Sequence, residues 1–180
     1  MSHLTRARFQ ALTLTVAAAG VLAAGVASPA HAATLLTCAG AQSVTYSPGL
    51  TNAPQPVALH VENTFQPCLN LTHPLELRTG TASTNLPAVS RTCSSVLEAR
   101  PGTRVIHWST GTTSTFTFIA EATSLAGGAV QVVQQGSITA GEFQGATAIG
   151  VVVLASTEFA NCATTGVTSQ GGAMTLTLLQ

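Results

Sequence analysis

The chain contains no lysine and no aspartate, and charged residues make up only 7% of its 180 positions. A nucleic-acid binder must neutralise several phosphates with clustered basic side chains, and no such cluster exists here. Beyond residue 32 the charges are Arg78, Arg91, Arg100 and Arg104 against Glu62, Glu76, Glu98, Glu121, Glu142 and Glu158. Without aspartate a Ser-His-Asp triad is impossible. A glutamate would have to take the third place, with His60, His73 or His107 as base, and no Gly-x-Ser-x-Gly elbow presents a nucleophile. The nearest glycine-bounded serine, Ser109, reads as a strand end. Aromatic residues are also scarce, with a single Trp and a single Tyr, a poor platform for stacking sugars. Paired-carboxylate glycosidase chemistry would fall to Glu142 and Glu158, which stand at turns and strand ends where glutamates are ordinarily solvated. Gly127-Gly128 and Gly171-Gly172 precede strand-like segments, so they lack the helix N-terminus that holds a phosphate.

The first residues carry a different signal. Two arginines, Arg6 and Arg8, precede an uncharged apolar run from Ala11 to Val26, and Ala30-His31-Ala32 offers a small-x-small exit. This three-part pattern reads as a secretory signal peptide over residues 1–32, cleaved between Ala32 and Ala33. A lipobox ending at Cys38 is disfavoured, because Thr37 fits the position before the cysteine poorly and lipidation would leave three cysteines. The remaining residues 33–180 form one domain's length of chain. No second apolar run is long enough to span a membrane as a helix. The expected location is therefore secreted and extracellular.

All four cysteines, Cys38, Cys68, Cys93 and Cys162, follow the leader. An even set in an exported chain reads as two disulfides, and no Cys-x-x-Cys spacing points to zinc. Three connectivities are possible; the preferred one joins Cys68–Cys93 around the polar 69–92 stretch and Cys38–Cys162 between the first and last strands.

Abundant Thr and Val with little charge is the profile of β-structure. Alternating segments appear at 42–46, 55–62, 103–109, 114–120, 129–134 and 173–179, separated by turn signals such as Ser47-Pro48-Gly49 and Arg100-Pro101-Gly102. Residues 66–90 read as a long loop holding a short strand at 76–78. The unbroken apolar run Ile149–Leu154 reads as a strand, either in the core or at an interface. Helical character is confined to a turn or two at 95–100. Eight to ten strands at this spacing predict an antiparallel β-sandwich, Ig-like or jelly-roll with Greek-key connections, with Trp108 in its core.

Several of these residues together form a recognisable set: Cys38-x-Gly40, Tyr46-Ser-Pro-Gly-Leu-Thr51, Cys68, Cys93, Ile106-His-Trp108, the corner from Gly136 through Gly141 and Phe143 to Gly145, and Cys162. In this the chain resembles a group of small secreted actinobacterial proteins. That resemblance implies export and a β-rich fold, and carries over no catalytic residues.

One metal-like grouping stands out. His60 and Glu62 lie at i and i+2 on a predicted strand, so they share a face, and His107 on another strand would complete a His₂Glu set. Trp108 would then face the other way, and the bland reading is a solvated polar pair beside core-facing Leu59 and Val61. No cofactor is expected. These observations lead to a non-enzymatic extracellular protein with a structural, surface or interaction role, acting on an unknown extracellular protein or ligand and possibly as a homo-oligomer. The alternatives are a small hydrolase using Glu and His, and a binding or inhibitor module acting through the 69–92 loop.

Overall fold

A computed structural model of the chain describes residues 33–73, 75–124, 129–154 and 161–180. The expected leader and its cleavage site, and Glu158, lie outside these residues. Ala32–Gln180 makes up one compact unit.

Eight strands among the described residues run antiparallel in chain order: β1 (Thr34–Leu50), β2 (Gln55–Asn70), β3 (Leu77–Arg91), β4 (Arg100–Trp108), β5 (Thr113–Ser124), β6 (Val130–Gly141), β7 (Thr147–Leu154) and β8 (Val167–Leu179). The strand count and all-β character agree with the sequence. The expected sandwich does not: β8 returns to pair with β1, Thr37 opposite Thr177 and Val44 opposite Gln170, and the sheet closes into a single barrel. Closure removes the free edges that the sheets of a sandwich must protect. One seam is nearly open. β3 and β4 pair only through Gly80–Trp108 and Thr81–His107, so they part company over Ala82–Arg91 and Arg100–Ile106.

The segment expected as a long loop from 66 to 90 is mostly strand, because β2 runs on to Asn70 and β3 takes residues 77–90 of it. Its alternation was invisible because the inward positions are small. Gly80 lies directly opposite Trp108, and a Cβ there would come within 2.7 Å of the indole. Glycine is required so that the ring can lie flat against the wall.

The cysteine pairing also differs from expectation. The bridges are Cys38–Cys68 and Cys93–Cys162. Cys38 and Cys68 are direct cross-strand partners on β1 and β2, a proximity that no spacing argument reveals. Cys93 opens a short 3₁₀ turn (Cys93–Leu97) between β3 and β4 and reaches the segment between β7 and β8. In a chain-entropy account, its separation of 69 residues corresponds to about 4 kcal/mol. Two such bridges fit an oxidising compartment.

The inward side chains divide the barrel into two ends. At one end Leu36, Phe65, Ile106, Trp108, Phe116 and Leu176 fill the lumen completely. Trp108 donates its Nε1–H to Ser114 Oγ at 2.8 Å and meets Phe143 edge-on with centroids 6.1 Å apart. Phe143 adopts a left-handed φ of 62° in the β6–β7 turn, a conformation costing about 1–2 kcal/mol that this contact helps to offset. At the other end a smaller cluster, including Tyr46, Leu50, Val57 and Val167, surrounds the Cys93–Cys162 bridge.

The outward positions in the middle of β1–β3 carry Ser43, Thr45, Glu62, Thr64, Thr81 and Ser83, all exposed. A barrel that meets lipid needs an apolar outer band instead. No helix among the described residues is long and apolar enough to cross a membrane. The run Ile149–Leu154 is split by its strand geometry: Val152 and Leu154 face the lumen, while Ile149, Val151 and Val153 face out beside the exposed Ile119 of β5.

Candidate functional site

Above the packed end the lumen opens into a cavity of about 420 Å³. This is within the ~300–1,000 Å³ range of small-molecule sites, and eight strands enclose just enough space for one small ligand. Its walls are apolar, formed by Val44, Leu50, Leu59, Val61, Ala120 and Val132. Its floor is polar. Gln42 on β1, Arg104 on β4 and Gln134 on β6 are the deepest lining residues of their strands, and each is nearly inaccessible to solvent. They belong to one network: Arg104 donates from Nη1 to Gln134 Oε1 at 3.1 Å and from Nη2 to Gln42 Oε1 at 3.4 Å.

Arg104 is 4% exposed and has no carboxylate partner among the described residues. Burial pulls its guanidinium down to about 10, which still leaves it charged at neutral pH. Its guanidinium carbon sits 5.2 Å from the centroid of the Phe118 ring, so a cation–π contact offsets part of the desolvation. Phe118 is held back against the wall by Gly102, its direct cross-strand partner; a Cβ at Gly102 would stand 2.5 Å from the ring. The cavity is therefore kept open by a glycine.

Two further polar side chains inside the barrel lack a full set of partners. Asn63, 2% exposed and opposite Gln42 in the β1–β2 register, has no protein partner for Oδ1 or Nδ2 among the described residues. Gln170 accepts from the Tyr46 hydroxyl at 2.5 Å while its Nε2 has no partner. Burying unpaired polar atoms costs free energy unless something else binds them.

At the rim Arg91, Ser95, Glu98 and Arg100 line the cavity. Arg100 pairs with Glu98. The Arg91 guanidinium is lowered by burial and, next, by the neighbouring Arg100. Leu86, on the β3 side of the parted seam, completes this edge.

The residues singled out by spacing lie elsewhere. His60 and Glu62 do share the outer face of β2, with His60 Nε2 3.2 Å from Glu62 Oε1 and His60 Nδ1 2.7 Å from Asn85 Oδ1. Acceptors on both ring nitrogens favour the imidazolium, and the histidine is raised above its ordinary value, first by the Glu62 hydrogen bond and then by Asn85. His107 stands opposite Thr81, and Thr81 opposite Thr64, whereas His60 is opposite Asn85. The offset is four residues along β2, about 13 Å. No three His, Cys, Asp or Glu side chains converge among the described residues, so the His60, Glu62 and His107 set is not assembled. Ser109 accepts the Thr79 amide at 3.1 Å in the β4–β5 turn. Glu142 is engaged by Arg78 and Thr112.

Arg104, Gln42 and Gln134 were not singled out by the sequence. The signal was present in strand parity: Arg104, Ile106 and Trp108 alternate on one face, so a core Trp108 places Arg104 in the core as well.

No protein family, curated protein or solved structure matches the chain. The resemblance to secreted actinobacterial proteins accordingly rests on the quoted residues alone, and the barrel interior supplies the functional argument.

Proposed function

We propose that this is an exported, non-enzymatic binding protein that holds one small, largely apolar molecule inside its barrel. The observation that carries this reading is the 420 Å³ cavity, apolar in its walls, polar at its floor, and kept clear by Gly102. A barrel selected only as a scaffold would fill this space, because interiors pack to high density and voids destabilise. Export is supported by the leader pattern and by two disulfides, one of which ties the β3–β4 connection to the β7–β8 connection.

The test is a titration of the full secreted protein, disulfides intact, with the neutral fluorophore N-phenyl-1-naphthylamine. A saturable one-site enhancement is expected, lost when the cavity is filled by Ala120→Phe together with Val132→Phe. Absence of saturable binding to folded protein overturns the reading. Mass spectrometry of the protein recovered from medium should show Ala33 as the first residue and both bridges formed.

A further inference from the structure

The cavity is where the chain concentrates its positive charge. Of the four arginines beyond residue 32, Arg91, Arg100 and Arg104 line it, with Glu98 the only carboxylate in the lining among the described residues. Glu98 is taken up by Arg100 at the rim, and no carboxylate among the described residues pairs with the arginine at the floor. There Arg104 is held by two neutral amide oxygens, which occupy two of its five N–H donors. The remaining donors of a planar guanidinium match the two oxygens of a carboxylate in fork geometry. A buried cation without a counter-ion is costly, and an incoming carboxylate would relieve that cost. The apolar walls above Arg104 then suit a hydrocarbon body. A methylene fills roughly the ~30 Å³ of a water molecule, so the volume suits a chain of about a dozen carbons.

We propose that the ligand is an apolar carboxylate bound head-first, its carboxylate on the Arg104 guanidinium at the floor and its hydrocarbon toward the rim. This rests on the small-ligand reading above and narrows it to a chemical class and an orientation.

The experiment displaces N-phenyl-1-naphthylamine from the full secreted protein with dodecanoate, 1-dodecanol and dodecylamine. Dodecanoate should bind about tenfold or more tightly than dodecanol, the range expected for a charged hydrogen bond, with dodecylamine weakest. Arg104→Gln should bring dodecanoate to the level of dodecanol and leave dodecanol itself within about threefold of its original affinity. Arg104→Lys, which keeps the charge but loses the fork, should restore part of the preference. Equal binding of dodecanoate and dodecanol to the original protein overturns the carboxylate proposal and leaves the small-ligand reading standing. So does a preference that survives Arg104→Gln but disappears in Arg91→Gln, which would place the headgroup at the rim. Should the fluorophore bind but no dodecyl compound displace it, the carboxylate proposal also fails. If neither the fluorophore nor any dodecyl compound binds, both readings fall together. The comparison of ligands on the unmodified protein decides the carboxylate question even if an Arg104 variant folds poorly.

Discussion

Two arginines sit inside this barrel at opposite ends, almost equally buried, and their surroundings differ in one respect. Arg78, 5% exposed, lies 5.3 Å from the centroid of Phe143, much as Arg104 lies against Phe118. Arg78, however, donates to Glu142 at 2.6 Å and to Glu76 at 3.1 Å. Burial alone would lower its guanidinium, but Glu142 and then Glu76 outweigh burial and raise it. At Arg104 no carboxylate among the described residues opposes burial and the guanidinium falls. One arginine is a finished piece of structure, neutralised where the β2–β3 and β6–β7 turns meet over the packed core. The other has a ring and two amides around it but, among the described residues, no anion. Having neutralised a buried cation once, the same fold leaves a second one without a described counter-charge at the bottom of the cavity.

The contrast can be broken most forcefully at the neutralised end. Glu142→Gln should destabilise the protein by about 3 kcal/mol, because it leaves Arg78 buried with only the more exposed Glu76 as counter-charge; urea denaturation at pH 7 measures it. The same carboxylate should govern acid sensitivity. Burial raises Glu142, but hydrogen bonds from Arg78 and Thr112 outweigh it, so the folded value lies below the ordinary one. A depressed carboxylate contributes its stability above the unfolded pKa of about 4.3 and loses it as pH falls through the folded value. Urea midpoints should therefore decline below about pH 4.5, and Glu142→Gln should flatten that decline.

The open end responds differently. Gly102→Val should cost about 2 kcal/mol through overpacking and also drive Phe118 into the cavity, so that fluorophore binding falls with stability. Arg104→Met should instead leave stability unchanged or raise it by about 1 kcal/mol, since it removes a desolvated cation that no carboxylate among the described residues neutralises. A loss as large as that of Glu142→Gln would mean that Arg104 is structural and erase the distinction between the ends. Smallest of all, His60→Gln should leave the urea midpoint and probe binding where they were, because the His60–Glu62 pair is solvent-exposed and such pairs contribute little.

Parity along β2 and β4 was readable from the amino-acid order, and it put Trp108, Leu59 and Val61 toward the interior and His60 and Glu62 outside. Closure was not readable. A sandwich and a barrel demand the same alternation, and what separates them is the pairing of β1 with β8, a contact between residues such as Val44 and Gln170 that no local pattern encodes. The cysteine pairs went unread for a similar reason, since Cys38 meets Cys68 through hairpin register rather than spacing. β3 was hidden because Gly80 and Ala82 contribute little apolar signal where they face Trp108. The functional floor was half legible: parity carries Arg104 inward, but its partners Gln42 and Gln134 come from strands that only the closed topology brings within reach.

The parted seam between β3 and β4 bears on time rather than affinity. Two residue pairs hold it, against eight along β4 and β5, and it flanks the cavity between Leu86 and Arg100. Both pairs lie at the packed end beside Trp108, so the stretch along the cavity is already unpaired and widening it breaks no β3–β4 ladder bond, a local motion far less costly than global unfolding. For the proposed occupant the gap predicts short residence, with exchange leaving the disulfides and the packed end intact.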